Sequence, residues 1–464
     1  MQSVSALRGQ VRGTILETGD KGYEQSRKVY NAMIDRKPRL IVQCADVADV
    51  IASVRFARET GLRIAIRGGG HNVAGLALCD DGLVIDLSRM RGLRVDGEHN
   101  TVRAGGGCVW GDVDHATHAF GLAVPSGFIS TTGVAGLTLG GGIGYLTRKY
   151  GLTIDNLLEA DVVLADGSFR VANRSENADL FWALRGGGGN FGVVTSFLFR
   201  THPVHTVTGG PMFWELDQAG DLLRWYREFI PNAPLEASCF FAFLTIPPSP
   251  HFPERYHGRK MCALVWCCTA PHEADSILSA VRGFRAPAFE MVGLMPYPAL
   301  QSMFDPLYPP GLQWYWKADF LKEIPDEAVN RHLLHASRLP TTLSTVHIYP
   351  INGAAHRPAN PDTAWSYRDA VWAQVIAGVD PSPANRERIT AWARDYFDAL
   401  HPFSAGGAYV NFLMDEGDER IRSAYRDNYG RLAAVKAAYD PGNFFNVNQN
   451  VHPRHAPRAA SDPH

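Results

Sequence analysis

The sequence carries almost no net charge and no long apolar run. Lys plus Arg number 45 and Asp plus Glu 47 in 464 residues, so the formal net charge is -2. This balance provides no basic field that would collect nucleic acid or an anionic membrane. No stretch approaches about 18 uninterrupted apolar residues, and residues 1–20 lack the apolar core of a signal peptide. We therefore expect a soluble, cytoplasmic protein that acts on a small molecule, without a nucleic-acid or membrane partner.

Paired cysteine motifs are also missing. The seven cysteines are odd in number, and none belongs to a C-x-x-C motif. A chain of this length needs no disulfide framework, so we interpret these cysteines as small buried hydrophobic residues. His115 and His118 lie three positions apart on a predicted helix, but no third ligand stands near them. We therefore predict no metal site.

The pattern of apolar residues changes character near residue 205. Residues 39–86 alternate between short apolar runs and one helical pattern that ends at Gly61, as α/β segments do. Asp166-Gly167 joins two predicted strands in a tight turn, which argues against a purely parallel sheet. The middle of the chain instead predicts an antiparallel sheet backed by amphipathic helices near 272–284 and 326–338. We therefore predict two domains and a frayed tail from His452 onward.

Glycine clusters are the strongest local signal. They occur at Gly68–Gly70, at Gly140–Gly142 and between Arg185 and Gly192. Glycine permits unusual backbone angles, so such clusters can turn several N–H groups toward one pyrophosphate. A Rossmann fold does not account for them, because no cluster opens a first βα turn with an acidic residue about twenty positions later. We expect a different nucleotide-binding fold.

Five motifs in order then establish a resemblance. They are RGGGHNVAG, GLVIDLSRM, SGFISTTGVAGLTLGGGIGYLTRKYGLTIDN, RGGGGNFGVVT and YDPGNFFNVNQNV. Together they resemble the berberine bridge enzyme-like flavoproteins of the vanillyl-alcohol oxidase, or PCMH-type, FAD-binding superfamily. The resemblance implies an α+β fold in which residues 1–205 and 415–464 form a two-lobed FAD-binding domain. Residues 206–414 would form the substrate domain, with its antiparallel sheet backed by helices.

The resemblance also implies how FAD is held. In this family the histidine after the RGGG loop is bonded to the flavin, which assigns that covalent link to His71. Many members have a second link through a cysteine, but the matching position here is Ile129, so we predict a single link. The other predicted FAD-binding residues are Arg67, Gly68, Gly69, Gly70, Asn72, Gly127, Thr131, Thr132, Gly133, Gly136, Gly140, Gly141, Gly142, Gly192, Val193, Val194, Asn446 and Asn448.

The residue that acts as catalytic base in the plant members of this family has no counterpart in this sequence. There it is the second tyrosine of a Y-x-N-Y strand, and here the strand reads Tyr409-Val410-Asn411-Phe412, which ends without a hydroxyl. In the strand around His347 and Tyr349, period-two alternation places both side chains on one face. We predict Tyr349, His347 and Gln374 as polar contacts to the substrate. A hydrogen-bonded pair inside a sheet remains the alternative for the first two.

Aromatic residues suggest the kind of substrate. The predicted substrate pocket contains Tyr145, Phe412, Tyr409, Asn411 and Trp316, with Trp314 and Tyr308 as further wall candidates. Each ring could equally be a core residue, but together they favour an aromatic or polycyclic substrate over a free sugar.

Thr132 occupies the family position that controls access of O2 to the flavin, and it is small. We therefore predict an FAD-dependent oxidase that removes a hydride from an alcohol or amine carbon of a secondary metabolite and produces H2O2. One alternative is an oxygenase or dual-oxidation enzyme that uses a flavin-N5-oxide on a polyketide-type substrate. Another is a flavin-binding protein without catalytic activity.

Overall fold

Four β-sheets organise residues 3–454, the part of the chain that the computed structural model describes. Most of the tail predicted to fray lies outside these residues. The strands in chain order are β1 Thr14–Glu17, β2 Leu40–Gln43, β3 Ile64–Arg67, β4 Leu83–Asp86, β5 Leu93–Asp96, β6 Thr101–Gly105, β7 Leu122–Ala123, β8 Leu157–Val163, β9 Phe169–Asn173, β10 Val193–Arg200, β11 His202–Pro203, β12 Thr206–Glu215, β13 Ala237–Thr245, β14 Lys260–Cys268, β15 Phe289–Glu290, β16 Gly293–Pro296, β17 Gln313–Leu321, β18 Thr345–Pro350 and β19 Trp372–Asp380.

Helices connect and cover these sheets. They are α1 Val4–Arg8, α2 Tyr23–Ser26, α3 Val47–Thr60, α4 Trp110–His118, α5 Val134–Gly140, α6 Thr147–Tyr150, α7 Ala178–Leu184, α8 Ala219–Asn232, α9 Ala274–Phe284, α10 Tyr297–Gln301, α11 Asp326–Ala336, α12 Arg386–Leu400, α13 Asp418–Tyr425 and α14 Tyr429–Tyr439. Within residues 3–454, no helix combines the length and the apolarity needed to cross a bilayer.

The first sheet has the order β1-β2-β4-β3, in which β2, β4 and β3 run parallel. The helix predicted between its strands is α3. It begins after Asp46, whose side chain accepts hydrogen bonds from the backbone of Ala48 and Asp49, and it ends at Gly61 with φ of +70°. After α3, strand β3 ends at Arg67, so the first glycine cluster, Gly68–Gly70, follows it directly.

The second sheet, β5-β6-β10-β8-β9, is antiparallel throughout. The predicted hairpin is confirmed, since β8 and β9 flank Gly167, which has φ of +76°. The prediction that the cysteines are buried is confirmed as well, because all seven are buried and unpaired.

The third large sheet has eight antiparallel strands, and helices cover only one of its two faces. Helices α9 and α11 match the two predicted amphipathic helices, while α8 and α12 also pack on the helix-covered face. The opposite face turns toward the glycine clusters. The predicted α+β class, with an antiparallel sheet backed by helices, is confirmed.

Candidate active site

A cavity lies between the glycine loops and the uncovered face of the eight-stranded sheet. Glycines supply one wall, which we call the glycine wall. Its members are Gly68, Gly69, Gly70, Gly127, Gly133, Gly136, Gly188, Gly189 and Gly192. These glycines come from separate segments of the chain, so the tertiary structure assembles the wall from several loops.

The glycine wall is a cradle that side chains would fill. A Cβ atom built on Gly69 would lie 2.5 Å from the backbone of Gly133, and one built on Gly68 would lie 3.2 Å from the carbonyl oxygen of Gly106. The loops around Gly69 and Gly133 therefore pack backbone against backbone, and both glycines line the cavity. Asn448 also lines the cavity, and its buried Oδ1 has no partner among the described residues. A concave backbone surface with unsatisfied polar atoms fits FAD, and Gly68–Gly70, Gly133, Gly192 and Asn448 would hold it.

A buried lysine joins the two loops that complete this wall. Lys436 Nζ donates to the carbonyl oxygens of Asn190 and Phe445 at 2.6 and 2.8 Å, and to Asp440 Oδ2 at 2.6 Å. Both side chains of the Lys436–Asp440 pair are fully buried. Burial lowers the pKa of Lys436. The ion pair thereby fixes the C-terminal loop that carries Asn448 against the loop that contains Gly192.

His71 stands at the edge of the glycine wall with one ring nitrogen engaged. Its Nε2 lies 3.0 Å from Thr131 Oγ1, and its ring stacks on Tyr30 with centroids 3.8 Å apart. Among the described residues, Nδ1 makes no hydrogen bond. Burial lowers the pKa of His71 to about 3, so the imidazole is neutral at physiological pH. A neutral ring with a free nitrogen is a competent nucleophile.

The opposite wall is the sheet face, where side chains alternate with period two. We call it the sheet wall. Its members are Pro211, Phe213, Phe240, Ala242, Leu244, Ala263, Val265, Trp314, Trp316, Thr345, His347, Tyr349, Val375 and Ala377. Within residues 3–454, no Asp, Glu, Lys or Arg side chain lines the cavity. The lining favours an uncharged, largely apolar substrate.

Three of these residues form a directed chain of hydrogen bonds. Thr345 Oγ1 donates to the carbonyl oxygen of Phe243 at 2.8 Å, so it must accept from His347 Nε2, which lies 3.0 Å away. His347 Nδ1 is therefore the unprotonated nitrogen, and it accepts from the Tyr349 hydroxyl at 2.6 Å. Burial lowers the pKa of His347 to about 3 and raises that of Tyr349 well above its ordinary value. Both groups are neutral around pH 7.

The predicted strand at residues 409–412 is wrong. Val410–Phe412 forms a single 3-10 turn that packs against α5 and β17. The Tyr409 hydroxyl accepts from the backbone N–H of Gly142 at 2.9 Å and from Asn411 Nδ2 at 2.7 Å. The hydroxyl oxygen accepts both hydrogen bonds, so Tyr409 holds the backbone of Gly142 and the side chain of Asn411 in place. Phe412 contributes only an apolar edge to the cavity.

Several predicted site residues lie away from the cavity lining. Gly140, Gly141 and Gly142 pack behind it, with ideal Cβ positions 2.0 to 2.4 Å from the side chains of Asn411, Trp365 and Thr153. Because these glycines have no side chains, the neighbouring segments pack directly against their backbone. The other predicted FAD-binding or pocket residues outside the lining are Arg67, Thr131, Val193, Asn446 and Tyr145. Of these, Thr131 contacts the site through His71.

Gln374 lies on the wrong face for a substrate contact. In the sheet it pairs with Ile348 and Asp319, which face the covering helices. The cavity is instead lined by its neighbour Val375. Since side chains alternate along a strand, the structure removes Gln374 from the predicted polar contacts.

Some residues at the site escaped the sequence analysis. Tyr30 stacks on His71, Phe128 stacks on Tyr349 at 4.3 Å, and Thr345 fixes the tautomer of His347. Tyr30 and Phe128 carry no local signal. Thr345 follows the same period-two pattern as His347 and Tyr349, so alternation could have found it.

Comparison with known proteins matches this architecture. The family described as FAD binding domain matches residues 38–173, and the family described as berberine and berberine like matches residues 408–452. An FAD-linked oxidoreductase of Dictyostelium discoideum is 31% identical over 457 residues, which cover 97% of each chain. The (R)-6-hydroxynicotine oxidase of Paenarthrobacter nicotinovorans is 28% identical over 470 residues, covering 98% of this chain and 99% of that one.

A solved structure agrees over the full length. The crystal structure of 6-hydroxy-D-nicotine oxidase from Arthrobacter nicotinovorans superimposes with a TM-score of 0.87 at 25% identity, covering 98% of this chain and 100% of that one. The chain is an FAD-dependent oxidoreductase. It belongs to the berberine bridge enzyme-like family of FAD-linked oxidoreductases, as the sequence motifs predicted. The alternative of a flavin-binding protein without catalytic activity is therefore set aside.

Proposed function

We propose that this protein is an FAD-dependent oxidase of a neutral aromatic or polycyclic small molecule. It oxidises an alcohol or amine carbon and passes the electrons to O2 as H2O2. The single observation that carries the proposal is the Tyr349–His347–Thr345 chain on an otherwise apolar wall, opposite the glycine wall. FAD, when bound, accepts a hydride at flavin N5.

Tyr349 and His347 together supply the proton acceptor that Phe412 lacks. The unprotonated His347 Nδ1 already accepts the Tyr349 proton, which leaves the phenolic oxygen lone pairs available to a substrate O–H or N–H. As the substrate proton moves to Tyr349 Oη, the phenolic proton moves to His347. Thr345 then accepts from the protonated ring at Nε2. No free tyrosinate is required, so the high pKa of Tyr349 is compatible with this role. Because burial lowers the pKa of His347, the imidazole holds the proton only transiently, while the substrate carbon is oxidised.

The substrate class rests on the sheet wall. A cavity bounded by Phe213, Phe240, Trp314 and Trp316 offers mainly ring contacts, together with the indole N–H groups of the two tryptophans, which have no partner among the described residues. A free sugar would leave several hydroxyls unpaired there, whereas a planar ring system would bury its surface. The relationship to a hydroxynicotine oxidase supports a nitrogen heterocycle among the candidates.

His71 is proposed to carry the flavin through one covalent bond. The free Nδ1, the neutral ring and the fixed ring plane between Tyr30 and Thr131 support this assignment. Ile129 also lines the cavity and offers no sulfur for a second link. Acid precipitation of the protein should give a yellow pellet, and His71→Ala should release its flavin. A coloured His71→Ala pellet would assign the link to another residue.

Thr132 lines the cavity and has a small side chain, which supports oxidase behaviour. The combination of His71, Ile129 and Thr132 supports a second candidate, because it also resembles the family members that use a flavin-N5-oxide. That candidate is an oxygenase or dual-oxidation enzyme acting through a flavin-N5-oxide on a polyketide. Oxygen-18 labelling separates the two, because only the oxygenase places labelled O2 oxygen in the product.

An anaerobic screen tests the proposed function. Alcohols, amines, nitrogen heterocycles, polyketide intermediates and oligosaccharides are mixed with the oxidised enzyme, and loss of the flavin absorption band is recorded. A neutral aromatic compound should bleach the wild-type flavin. Tyr349→Phe should retain FAD yet slow the bleaching about 100-fold or more, the usual range for a lost acid–base group. Bleaching at the wild-type rate would remove Tyr349 from the reaction.

The proposed domain division follows the sheets. β12, which begins at Thr206, is the first strand of the eight-stranded sheet, and β19 is the last. This supports a substrate domain at 206–414 between FAD-binding segments 1–205 and 415–464.

A further inference from the structure

A second groove lies outside the cavity, where α7, α14 and residues 357–363 meet. Four arginines line it, Arg174, Arg185, Arg357 and Arg431, together with two aspartates, Asp155 and Asp362. It is separate from the active-site cavity because the two share no lining residue, although Arg185 begins the loop whose later glycines belong to the glycine wall.

Two of the arginines are held in place by stacking. The Arg431 guanidinium carbon lies 3.8 Å from the centre of the Trp182 ring, and that of Arg185 lies 4.6 Å from the centre of the Phe181 ring. Each also donates to a main-chain carbonyl, Arg431 to Pro361 at 3.2 Å and Arg185 to Asp362 at 2.7 Å. These contacts fix the planes of both guanidinium groups without neutralising them.

The aspartates of the groove are already engaged elsewhere. Asp155 receives two hydrogen bonds from Arg368, at 2.6 and 2.8 Å, and Asp362 Oδ2 accepts from the backbone N–H of Ala359 at 2.9 Å. Within residues 3–454, none of the four groove arginines forms an ion pair with a carboxylate. Four arginines therefore face two aspartates, and the groove carries a net positive charge.

Arg185 shows the effect of this charge most clearly. Its buried Nε has no hydrogen-bond partner among the described residues. Burial and the repulsion from Arg174 and Arg368 outweigh the attraction of Asp155 and Asp362, so the pKa of Arg185 is lowered to about 10. An anion in the groove would offset this repulsion.

We propose that this groove binds a small multivalent oxyanion, a phosphate or pyrophosphate group that is either free or carried by a small metabolite. Planar guanidinium groups in fixed orientations match the oxygen geometry of phosphate. The aromatic floor under Arg185 and Arg431 excludes water from one side and strengthens the interaction.

Calorimetric titration of the FAD-loaded protein at physiological ionic strength tests the proposal. The probes are inorganic phosphate, inorganic pyrophosphate and adenosine monophosphate. The double variant Arg174→Gln/Arg357→Gln removes two charges whose side chains make no hydrogen bond in the described structure, so the fold should persist. Arg94→Gln, at an exposed arginine of β5, is the matched control.

The wild-type protein and Arg94→Gln should bind pyrophosphate saturably with one site per chain, and the double variant should bind at least about tenfold more weakly. Stronger binding of adenosine monophosphate than of phosphate would identify a metabolite-borne group, and the reverse order a free anion. Either order supports the proposal. Absence of saturable binding, or equal binding by the double variant, would overturn it.

Discussion

The two walls of the cavity are built in opposite ways. The glycine wall presents backbone and depends on the absence of side chains, as at Gly69 and Gly133, whose backbones nearly touch. The sheet wall presents side chains at every second position of six strands. Where its loops pack backbone against backbone, as at Gly69, the glycine wall tolerates no added atom and suits an invariant cofactor, whereas the sheet wall can change shape one residue at a time. Cofactor binding and substrate choice therefore depend on different walls of the same cavity.

The largest expected effect comes from adding one methyl group to the glycine wall. Gly69→Ala would place its Cβ 2.5 Å from the backbone of Gly133, which cannot move without shifting the loop. The variant should lose most of its FAD, measured as the ratio of flavin to protein absorbance after purification. Gly92→Ala, where a Cβ meets nothing within 4 Å, should keep a full complement. Normal flavin content in Gly69→Ala would contradict the cradle.

A change in the hydrogen-bond chain should slow the reaction and leave FAD bound. Thr345→Val removes the group that accepts from His347 Nε2, so the ring can adopt the other tautomer and compete with the Tyr349 proton. We expect anaerobic flavin reduction to slow by about 10- to 100-fold, with a shifted pH profile. Thr345→Ser keeps the hydroxyl and should restore most of the rate. Equal rates for the two variants would mean that Thr345 does not set the tautomer.

Two neighbouring phenylalanines on β13 test whether the two faces of the eight-stranded sheet have different roles. Phe240 faces the cavity, whereas Phe241 is fully buried among the covering helices. Phe240→Leu should change KM for the substrate at unchanged FAD content. Phe241→Leu should leave KM unchanged and lower the free energy of unfolding by about 1 kcal/mol, because it alters core packing. A KM change confined to Phe241→Leu would reverse the assignment of the faces.

Acid should destabilise the folded protein, through buried histidines on both sides of the sheet. Burial lowers the pKa of His332 and of His347 to about 3, while an unfolded chain binds the proton near pH 6.5. Between these values the unfolded state holds more protons, so stability is complete above about pH 6.5 and falls as the pH drops. Each histidine should contribute up to about 1.4 kcal/mol per pH unit in this window.

Thermal unfolding between pH 7 and pH 5 measures this smallest effect. His332→Gln removes one titrating group far from the cavity and should flatten the decline relative to the wild type. His251→Gln, at an exposed histidine whose side chain makes no hydrogen bond or ion pair in the described structure, should follow the wild-type slope. Identical slopes for His332→Gln and the wild type would contradict the role of burial.

The sequence anticipated the parts of the site that depend on local chemistry. Runs of glycine predicted a backbone cradle around Gly68–Gly70, and the motif around His71 predicted FAD. Period-two alternation predicted that His347 and Tyr349 share a face, and their 2.6 Å contact agrees. The backbone cradle and the shared face follow from short-range geometry, which a chain specifies residue by residue, whereas FAD followed from the resemblance of the motifs to a known family.

The tertiary structure decided which of these residues meet. Gly140–Gly142 resemble the other clusters in sequence, yet they pack against Asn411, Trp365 and Thr153 instead of lining the cavity. Gln374 and Val375 are adjacent, and only strand pairing determined that Val375 faces inward. The tautomer of His347 depends on the carbonyl of Phe243, about a hundred residues away in sequence. Local patterns fix which conformations a segment can adopt, but strand register and loop packing fix its neighbours, and the chemistry of this site depends on those neighbours.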